Sequence, residues 1–149
     1  GAHVVPGPRL QHNLVIQHSS GITIKDSRFD TSIRGCGLVL DHCKSLKVEN
    51  CEIARNGWHG LLMAECHNGK IENCLIEGND GCGFMGEYLH DGSSKIQIKH
   101  NTIQYNNDYG IQTFAMKEPD VKDNLYRWNG KEERQECISP EKKLQLEQL

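Results

Sequence analysis

The stretch Leu46–Gly60 reads L-K-V-E-N-C-E-I-A-R-N-G-W-H-G, and its pattern recurs along the chain. A shift of 23 residues brings it onto I-E-N-C at residues 71–74, followed by Asn79 and Gly83. A further shift of 27 residues finds the pattern again at residues 98–110. A repeat of this length indicates a solenoid, in which one supersecondary unit is stacked on copies of itself.

When the repeats are aligned, their apolar residues fall into four columns. The columns are Leu14, Leu38, Leu61, Phe84 and Ile111; Ile16, Leu40, Met63, Gly86 and Thr113; Ile24, Val48, Ile71, Ile98 and Val121; and Phe29, Ile53, Ile76, Ile103 and Tyr126. Apolar residues alternate with polar ones, as in L-K-V-E at residues 46–49, which indicates strands with one buried face. We expect the recurring Gly and Asn residues to mark corners, where left-handed backbone angles are needed.

Short strands, sharp corners and about 23 residues per repeat predict an all-β fold. The fold expected is a right-handed, single-stranded parallel β-helix of about five to six coils. We predict that residues 1–130 form the β-helix repeats and that residues 131–149 form a charged tail. Ser139 and Pro140 favour a helix start, so the tail is either a short capping helix or a frayed end.

Four of the seven cysteines of the chain follow the repeat. Cys51 and Cys74 share one column, and Cys43 and Cys66 share another. Positions fixed by the repeat are typical of Cys used as a small buried residue. Parallel side chains in stacked strands also give poor disulfide torsions. We therefore predict reduced thiols and a cytoplasmic location.

Charge and hydrophobicity limit the partners that we expect. The net charge of −3 argues against nucleic-acid binding, which normally requires a basic patch, and no apolar run is long enough to span a membrane. The open ends of a β-helix favour end-to-end self-association, because they expose unpaired edge strands. We predict no metal and no cofactor, and we expect His18 and His42, which are 24 residues apart, to form an outward stack.

The candidate binding face combines the turns after the repeated Asn with one inserted loop. Within residues 87–95 the repeat lengthens from 23 to 27 residues, and insertions in solenoids often lie on the binding face. The face comprises Trp58, His59, Asp80, Tyr88, His90, Asp91, Asp108 and Tyr109. Its aromatic residues could anchor a protein partner or a glycan. A His beside carboxylates could instead serve acid–base catalysis, and the residues in question are His59, Asp80, His90 and Asp91.

The repeats I-x-N-C-x-I-x-x-N-x-x-x-G at residues 71–83, and the variant with Val at residues 48–60, resemble the parallel β-helix repeats of carbohydrate-binding proteins and sugar hydrolases. The Cys-rich repeats, with W-N-G-K at residues 128–131, are similar to the Shc SH2-domain-binding protein / Nessun dorma family. They also resemble F-box β-helix proteins. The former resemblance implies a cytoplasmic scaffold at the mitotic spindle and midbody that has no catalytic residues.

Two enzyme families resemble single segments of the chain. The segment I-E-G-N-D-G-C at residues 76–82 resembles the G-D-D segment of polygalacturonases, with Asn79 in place of the first Asp. L-H-D at residues 89–91 resembles the D-P-H-D motif of alginate epimerases without its Asp-Pro half. Because a catalytic position differs in both, we expect a non-catalytic interaction module of a larger intracellular protein. The alternative is a carbohydrate-active enzyme, such as a polysaccharide lyase, a hydrolase or an epimerase.

Overall fold

The computed structural model of the chain describes residues 11–87, 90–113 and 116–131, together with the backbone of residues 134–135. These residues form 17 β-strands in three sheets, and every pair of neighbouring strands is parallel. Each coil contributes one strand to each sheet in turn, as predicted for a parallel β-helix. In the part of the chain that is described, no helix is long and apolar enough to cross a membrane.

The three sheets are named here in the order in which the chain enters them. Sheet A consists of β1 (Leu14–Gln17), β4 (Leu38–Asp41), β7 (Leu61–Ala64), β10 (Phe84–Glu87), β13 (Ile111–Gln112) and β17 (Arg134–Gln135). Sheet B consists of β2 (Ser20–Lys25), β5 (Lys44–Glu49), β8 (His67–Glu72) and β11 (Ser93–Lys99), with β14 (Met116–Lys117) and β15 (Asp120–Lys122) both beside β11. Sheet C consists of β3 (Arg28–Asp30), β6 (Glu52–Ala54), β9 (Leu75–Glu77), β12 (Thr102–Gln104) and β16 (Leu125–Arg127).

The predicted columns are confirmed as strand registers. Leu38 pairs with Leu61 and Leu61 with Phe84 in sheet A, and all three side chains are fully buried. Val48 pairs with Ile71 in sheet B, and the corresponding columns of sheet C are built in the same way. Because side chains alternate across a strand, one correct register fixes the inward residues of the whole sheet.

The repeated asparagines fall into two groups. Asn50 and Asn73 adopt the left-handed backbone angles predicted for corners, with φ angles of 51° and 55°. Asn56, Asn79 and Asn106 do not adopt left-handed backbone angles; those positions in the turns are occupied by residues such as Arg55 and Tyr105. The three asparagines lie inside the turn between sheets C and A, and each is at most 1% exposed. They form a ladder that runs parallel to the axis of the solenoid.

Asn79 shows how one rung of this ladder is made. Its Oδ1 accepts hydrogen bonds from the backbone N–H of Asn56 at 3.1 Å and from Asn56 Nδ2 at 2.9 Å. Its Nδ2 donates to the backbone carbonyl of Ile53 at 3.3 Å and to Asn106 Oδ1 at 2.9 Å. Two donated and two accepted bonds satisfy the whole side-chain amide, so these bonds offset the cost of removing it from water.

The described cysteines are free and buried, as predicted. The thiols of Cys51 and Cys74 donate to the carbonyls two residues earlier, at 3.3 and 3.4 Å. Burial raises the pKa of Cys66 and of Cys74 to about 12. Thiols with such pKa values are protonated at neutral pH and are therefore poor nucleophiles.

The solenoid extends beyond the predicted boundary at residue 130. The backbone of β17 at Arg134–Gln135 pairs with β13, so sheet A gains a strand within the segment assigned to the charged tail. The short capping helix or frayed end predicted after Ser139 lies outside the described residues.

Asn79→Ala should be strongly destabilising, because it leaves buried partners in two coils without a hydrogen bond. We expect a loss of about 3–5 kcal/mol in the free energy of unfolding, measured by urea denaturation. Asn107→Ala is the matched control, since Asn107 is exposed and makes one side-chain contact of 3.5 Å. That variant should lose less than about 0.5 kcal/mol. Equal losses in the two variants would show that the ladder contributes no special stability.

Candidate functional site

The turns between sheets C and A form a continuous surface, which we call the corner ridge. It comprises the turn residues 55–59, 78–82, 105–109 and 128–131 of four successive coils. Backbone hydrogen bonds stack these turns directly: Asp80 N–H donates to the Asn56 carbonyl at 3.0 Å, and Asn107 N–H donates to the Asn79 carbonyl at 2.9 Å. The asparagine ladder forms the inner side of the ridge, and the outer side carries five of the predicted site residues.

Trp58 and His59 lie together at one end of the ridge. Their rings are 4.7 Å apart between centroids, and His59 is only 6% exposed. His59 Nδ1 accepts a hydrogen bond of 2.9 Å from the backbone N–H of Cys82 in the next coil. This position of the ring requires glycine at residue 81, because a Cβ atom there would lie 2.5 Å from His59 Nδ1.

The electrostatics of His59 do not suit a general base. Burial lowers its pKa to about 4, although the nearby Asp108 carboxylate acts in the opposite direction. The ring is therefore neutral at pH 7, with Nδ1 engaged as the acceptor and the proton on Nε2. A base needs a free basic nitrogen and a pKa near the working pH. His59 instead joins two coils.

Asp108 and Tyr109 form a second group, together with Lys131. The Lys131 ammonium is 3.1 Å from Asp108 Oδ1 and 5.4 Å from the centre of the Tyr109 ring. The same Asp108 oxygen accepts the backbone N–H of Tyr109 at 3.0 Å. The hydrogen bond to Asp108 raises the pKa of Lys131. Lys131 thus neutralises Asp108 and leaves the Tyr109 ring as part of a mixed polar and aromatic surface.

Asp80 lies between these two groups. It is exposed, and its Oδ1 accepts a long hydrogen bond of 3.5 Å from Asn107 Nδ2. Asp80 thus lies beside Asn107 of the next coil, as His59 lies beside Cys82.

The ridge also carries an aromatic pair that the predicted face does not include. Tyr105 and Trp128 stack at 4.9 Å between ring centroids and are 54% and 62% exposed. The Arg127 guanidinium lies 4.9 Å from the centre of the Trp128 ring. The signal was available in the sequence, because residues 105 and 128 are separated by 23 positions, which is one coil.

His90 and Asp91 lie away from the corner ridge. The strand β10 separates Cys82, on the ridge, from the loop that follows, and four extended residues span roughly 13 Å. The predicted face is therefore divided between two corners of the solenoid. Tyr88 lies outside the described residues.

The inserted loop is fixed by Glu65, a residue absent from the prediction. The Glu65 carboxylate, which is only 6% exposed as a residue, accepts hydrogen bonds of 2.8, 3.4 and 3.0 Å from three successive backbone N–H groups. Those groups belong to His90, Asp91 and Gly92. A buried carboxyl group that accepts three backbone N–H groups anchors the loop to the preceding coil.

Sheet B offers a shallow polar groove of about 510 Å³ on its outer face. Its side chains include Thr23, Ser45, Lys47, Asn68, Lys70 and Gln97. Lys47 and Lys70 are adjacent in register, but each has its own carboxylate: Lys47 is 3.2 Å from Glu49 and Lys70 is 3.5 Å from Glu72. The groove therefore presents paired charges and no free basic patch.

Three parallel sheets, one strand from each per coil and a buried polar ladder define the chain as a β-helix protein. The family described as "Right handed beta helix region" matches residues 10–134, and the chain belongs to this family. Its helical hand is therefore right-handed, as predicted. No curated protein matches the chain.

Two solved structures are similar to the chain. A mutant of the periplasmic alginate epimerase AlgG shares 23% identity over 75% of this chain and 28% of its own, with a TM-score of 0.47. The A-module of the mannuronan C-5 epimerase AlgE6 from Azotobacter vinelandii shares 11% identity over 87% of this chain and 56% of its own, with a TM-score of 0.32. The chain thus spans less than two thirds of the length of either structure.

The buried, neutral His59 predicts a pH-dependent stability. Its pKa is lowered from the ordinary value of 6.5 to about 4, so between these values the unfolded chain binds a proton that the folded chain does not. Stability from this residue is therefore present above pH 6.5 and is lost as the pH falls toward 4. Between pH 7 and pH 5, wild type should lose about 2 kcal/mol more unfolding free energy than His59→Gln. Urea denaturation at both pH values measures this; equal losses in the two proteins would mean that His59 is not buried as described.

Proposed function

We propose that the chain is a non-catalytic interaction module of a larger intracellular protein, and that it binds a protein partner through the corner ridge. The observation that carries the proposal is the set of exposed aromatic side chains in the stacked turns. Trp58, Tyr105 and Trp128 are 37%, 54% and 62% exposed. Exposed Trp and Tyr side chains with a neighbouring Arg are the residues that most often dominate the energy of protein interfaces.

The polar groups on the ridge favour binding over catalysis. His59 Nδ1 accepts the backbone N–H of Cys82 in the next coil, and burial lowers the pKa of His59 to about 4. Asp108 is paired with Lys131 at 3.1 Å. Burial raises the pKa of Cys82 to about 11, so its thiol is not an activated nucleophile. These side chains hold the coils together and support the aromatic surface.

The shape of the ridge favours a macromolecular partner. Small-ligand sites are concave and enclose most of their ligand, whereas the ridge is the outside of a turn between two sheets. Gly78 and Gly81 carry no side chains, and they lie in the coil between Trp58 and Tyr105. A protein segment that lies across these turns would bury both aromatic groups.

We also propose a cytoplasmic location and a scaffold role for the whole protein. Six buried free thiols in the described part of the chain support a reducing, cytoplasmic location. The resemblance to the Shc SH2-domain-binding protein / Nessun dorma family, or to F-box β-helix proteins, supports a scaffold role, and for the former a place at the spindle or midbody. Among the described residues, β2 is an edge strand of sheet B and β3 is an edge strand of sheet C. We propose that edge strands at the open end of the solenoid allow a second contact, end-to-end self-association.

Trp58→Ala and Trp128→Ala should each weaken capture of the partner without unfolding the module. Proteins from a lysate that bind both wild type and Val15→Ala are identified, and each is then purified for titration calorimetry. Val15 is a suitable control because it is exposed on sheet A, away from the ridge. Each Trp variant should bind about 30-fold more weakly, corresponding to about 2 kcal/mol, with an unchanged melting temperature.

A carbohydrate-active enzyme would behave differently in the same experiments. It would bind or turn over a polysaccharide, and Asp80→Asn or His90→Ala would abolish turnover while leaving ligand binding largely intact. Partner affinity that is the same in wild type and both Trp variants would place the binding surface elsewhere. The inserted loop and the groove on sheet B are then the next surfaces to mutate.

A further inference from the structure

The corner between sheets A and B brings two imidazoles and a carboxylate together. His18 follows β1 and His42 follows β4, and the strands are in register because Gln17 pairs with Asp41. The two rings form the predicted outward stack, with centroids 4.8 Å apart and 24° between planes. The structure adds the Asp41 carboxylate, whose Oδ1 is 2.6 Å from His42 Nδ1.

The carboxylate is itself held in place. Gln17 Nε2 donates a hydrogen bond of 3.2 Å to Asp41 Oδ2, so the two carboxylate oxygens have different partners. An acid that binds one ring nitrogen of a His fixes the orientation of the ring and makes its other nitrogen a better metal ligand. Asp41 is therefore placed either to orient His42 or to coordinate an ion together with it.

We propose that His18, Asp41 and His42 form a binding site for a divalent transition-metal ion of the Zn²⁺ type. One possible ligand atom from each residue lies within 4.8 Å of the other two, and no other such group of three occurs among the described residues. Two imidazoles and a carboxylate are a ligand set that suits zinc and neighbouring borderline ions. His18 is exposed, so its ring can rotate from the stack until both imidazoles point at one ion.

The other described histidines with ring contacts are engaged differently. His12 and His59 accept backbone N–H groups through Nδ1, and His67 Nδ1 is 2.7 Å from the Ser94 hydroxyl. Each of these contacts joins a ring to the neighbouring coil. At the A–B corner, by contrast, two rings and an acid meet on the outside of the solenoid, where an ion has access. The next coil carries Glu65, whose carboxylate is already used by the inserted loop.

The test is titration calorimetry of the tag-free chain with ZnCl₂, comparing wild type with His18→Asn, His42→Asn and Asp41→Asn. His18 and His42 have φ angles of 51° and 53°, and Asn tolerates this left-handed region while being a weak ligand. His100→Asn is the matched control, since His100 is exposed, has a φ angle of 57° and lies outside the cluster. We expect one Zn²⁺ per wild-type chain and at least about 10-fold weaker binding in each cluster variant.

A second measurement separates metal binding from a structural role of the stack. Excess Zn²⁺ should raise the melting temperature of wild type and of His100→Asn, but not that of His42→Asn, because an ion that binds only the folded chain stabilises it. Co²⁺ should give wild type a visible absorption band that His18→Asn and His42→Asn lack. The proposal is overturned if wild type binds no stoichiometric Zn²⁺ at up to about 1 mM, a weak affinity of about −4 kcal/mol. It is also overturned if His100→Asn loses as much affinity as the cluster variants.

Discussion

The buried asparagine ladder at the C–A corner is the interaction on which the rest of the structure depends. Asn79 Oδ1 accepts hydrogen bonds from the backbone N–H and from Nδ2 of Asn56 in the coil before it. The backbone N–H and Nδ2 of Asn79 donate to Asn106 Oδ1 in the coil after it. Hydrogen bonds in a water-free interior polarise one another, and an unmade bond there is costly. The ladder therefore fixes the position of the successive turns between sheets C and A. Trp58 and Asp108 each lie two residues after a ladder asparagine, so the ladder also fixes where the backbone places them.

The two corners that flank sheet A present different chemistry on this scaffold. The C–A corner exposes aromatic rings over a tightly bonded interior, which favours a protein interface. The A–B corner exposes His18, His42 and Asp41 and anchors the inserted loop on Glu65, which favours coordination and hydrogen bonding. Because the coils repeat, each corner can change its chemistry through single substitutions that leave the inward columns untouched. That freedom explains how one solenoid can carry two unrelated surfaces.

The sequence predicted the parts of the fold that follow from periodicity. Inward columns such as Leu38–Leu61–Phe84 and buried thiols such as Cys51 and Cys74 repeat at the spacing of the coil. The four-residue insertion before β11 was visible because it interrupts that spacing. The left-handed angles predicted for the repeated asparagines occur at Asn50 and Asn73. The prediction was wrong for Asn56, Asn79 and Asn106, since Asn suits both a left-handed turn and a buried ladder, and only tertiary contacts decide between them. The predicted binding face proved to lie on two different corners of the solenoid. The repeat shows which residues share a column, but it does not show how far apart two corners lie. Glu65 had no signal, as its partners are backbone amides of a distant insertion.

Native-state hydrogen exchange tests the central role of the ladder most directly. The backbone amides of Asn56, Asn79 and Asn106 donate to side-chain oxygens at 3.1 Å in each case, and not to a strand partner. If the ladder holds the coils together, these three amides exchange only through global unfolding, at the same free energy as the central strands of sheet A. Exchange of the three amides at the rate of exposed turn amides would contradict the ladder as the organising interaction, and with it the fixed geometry of the corner ridge.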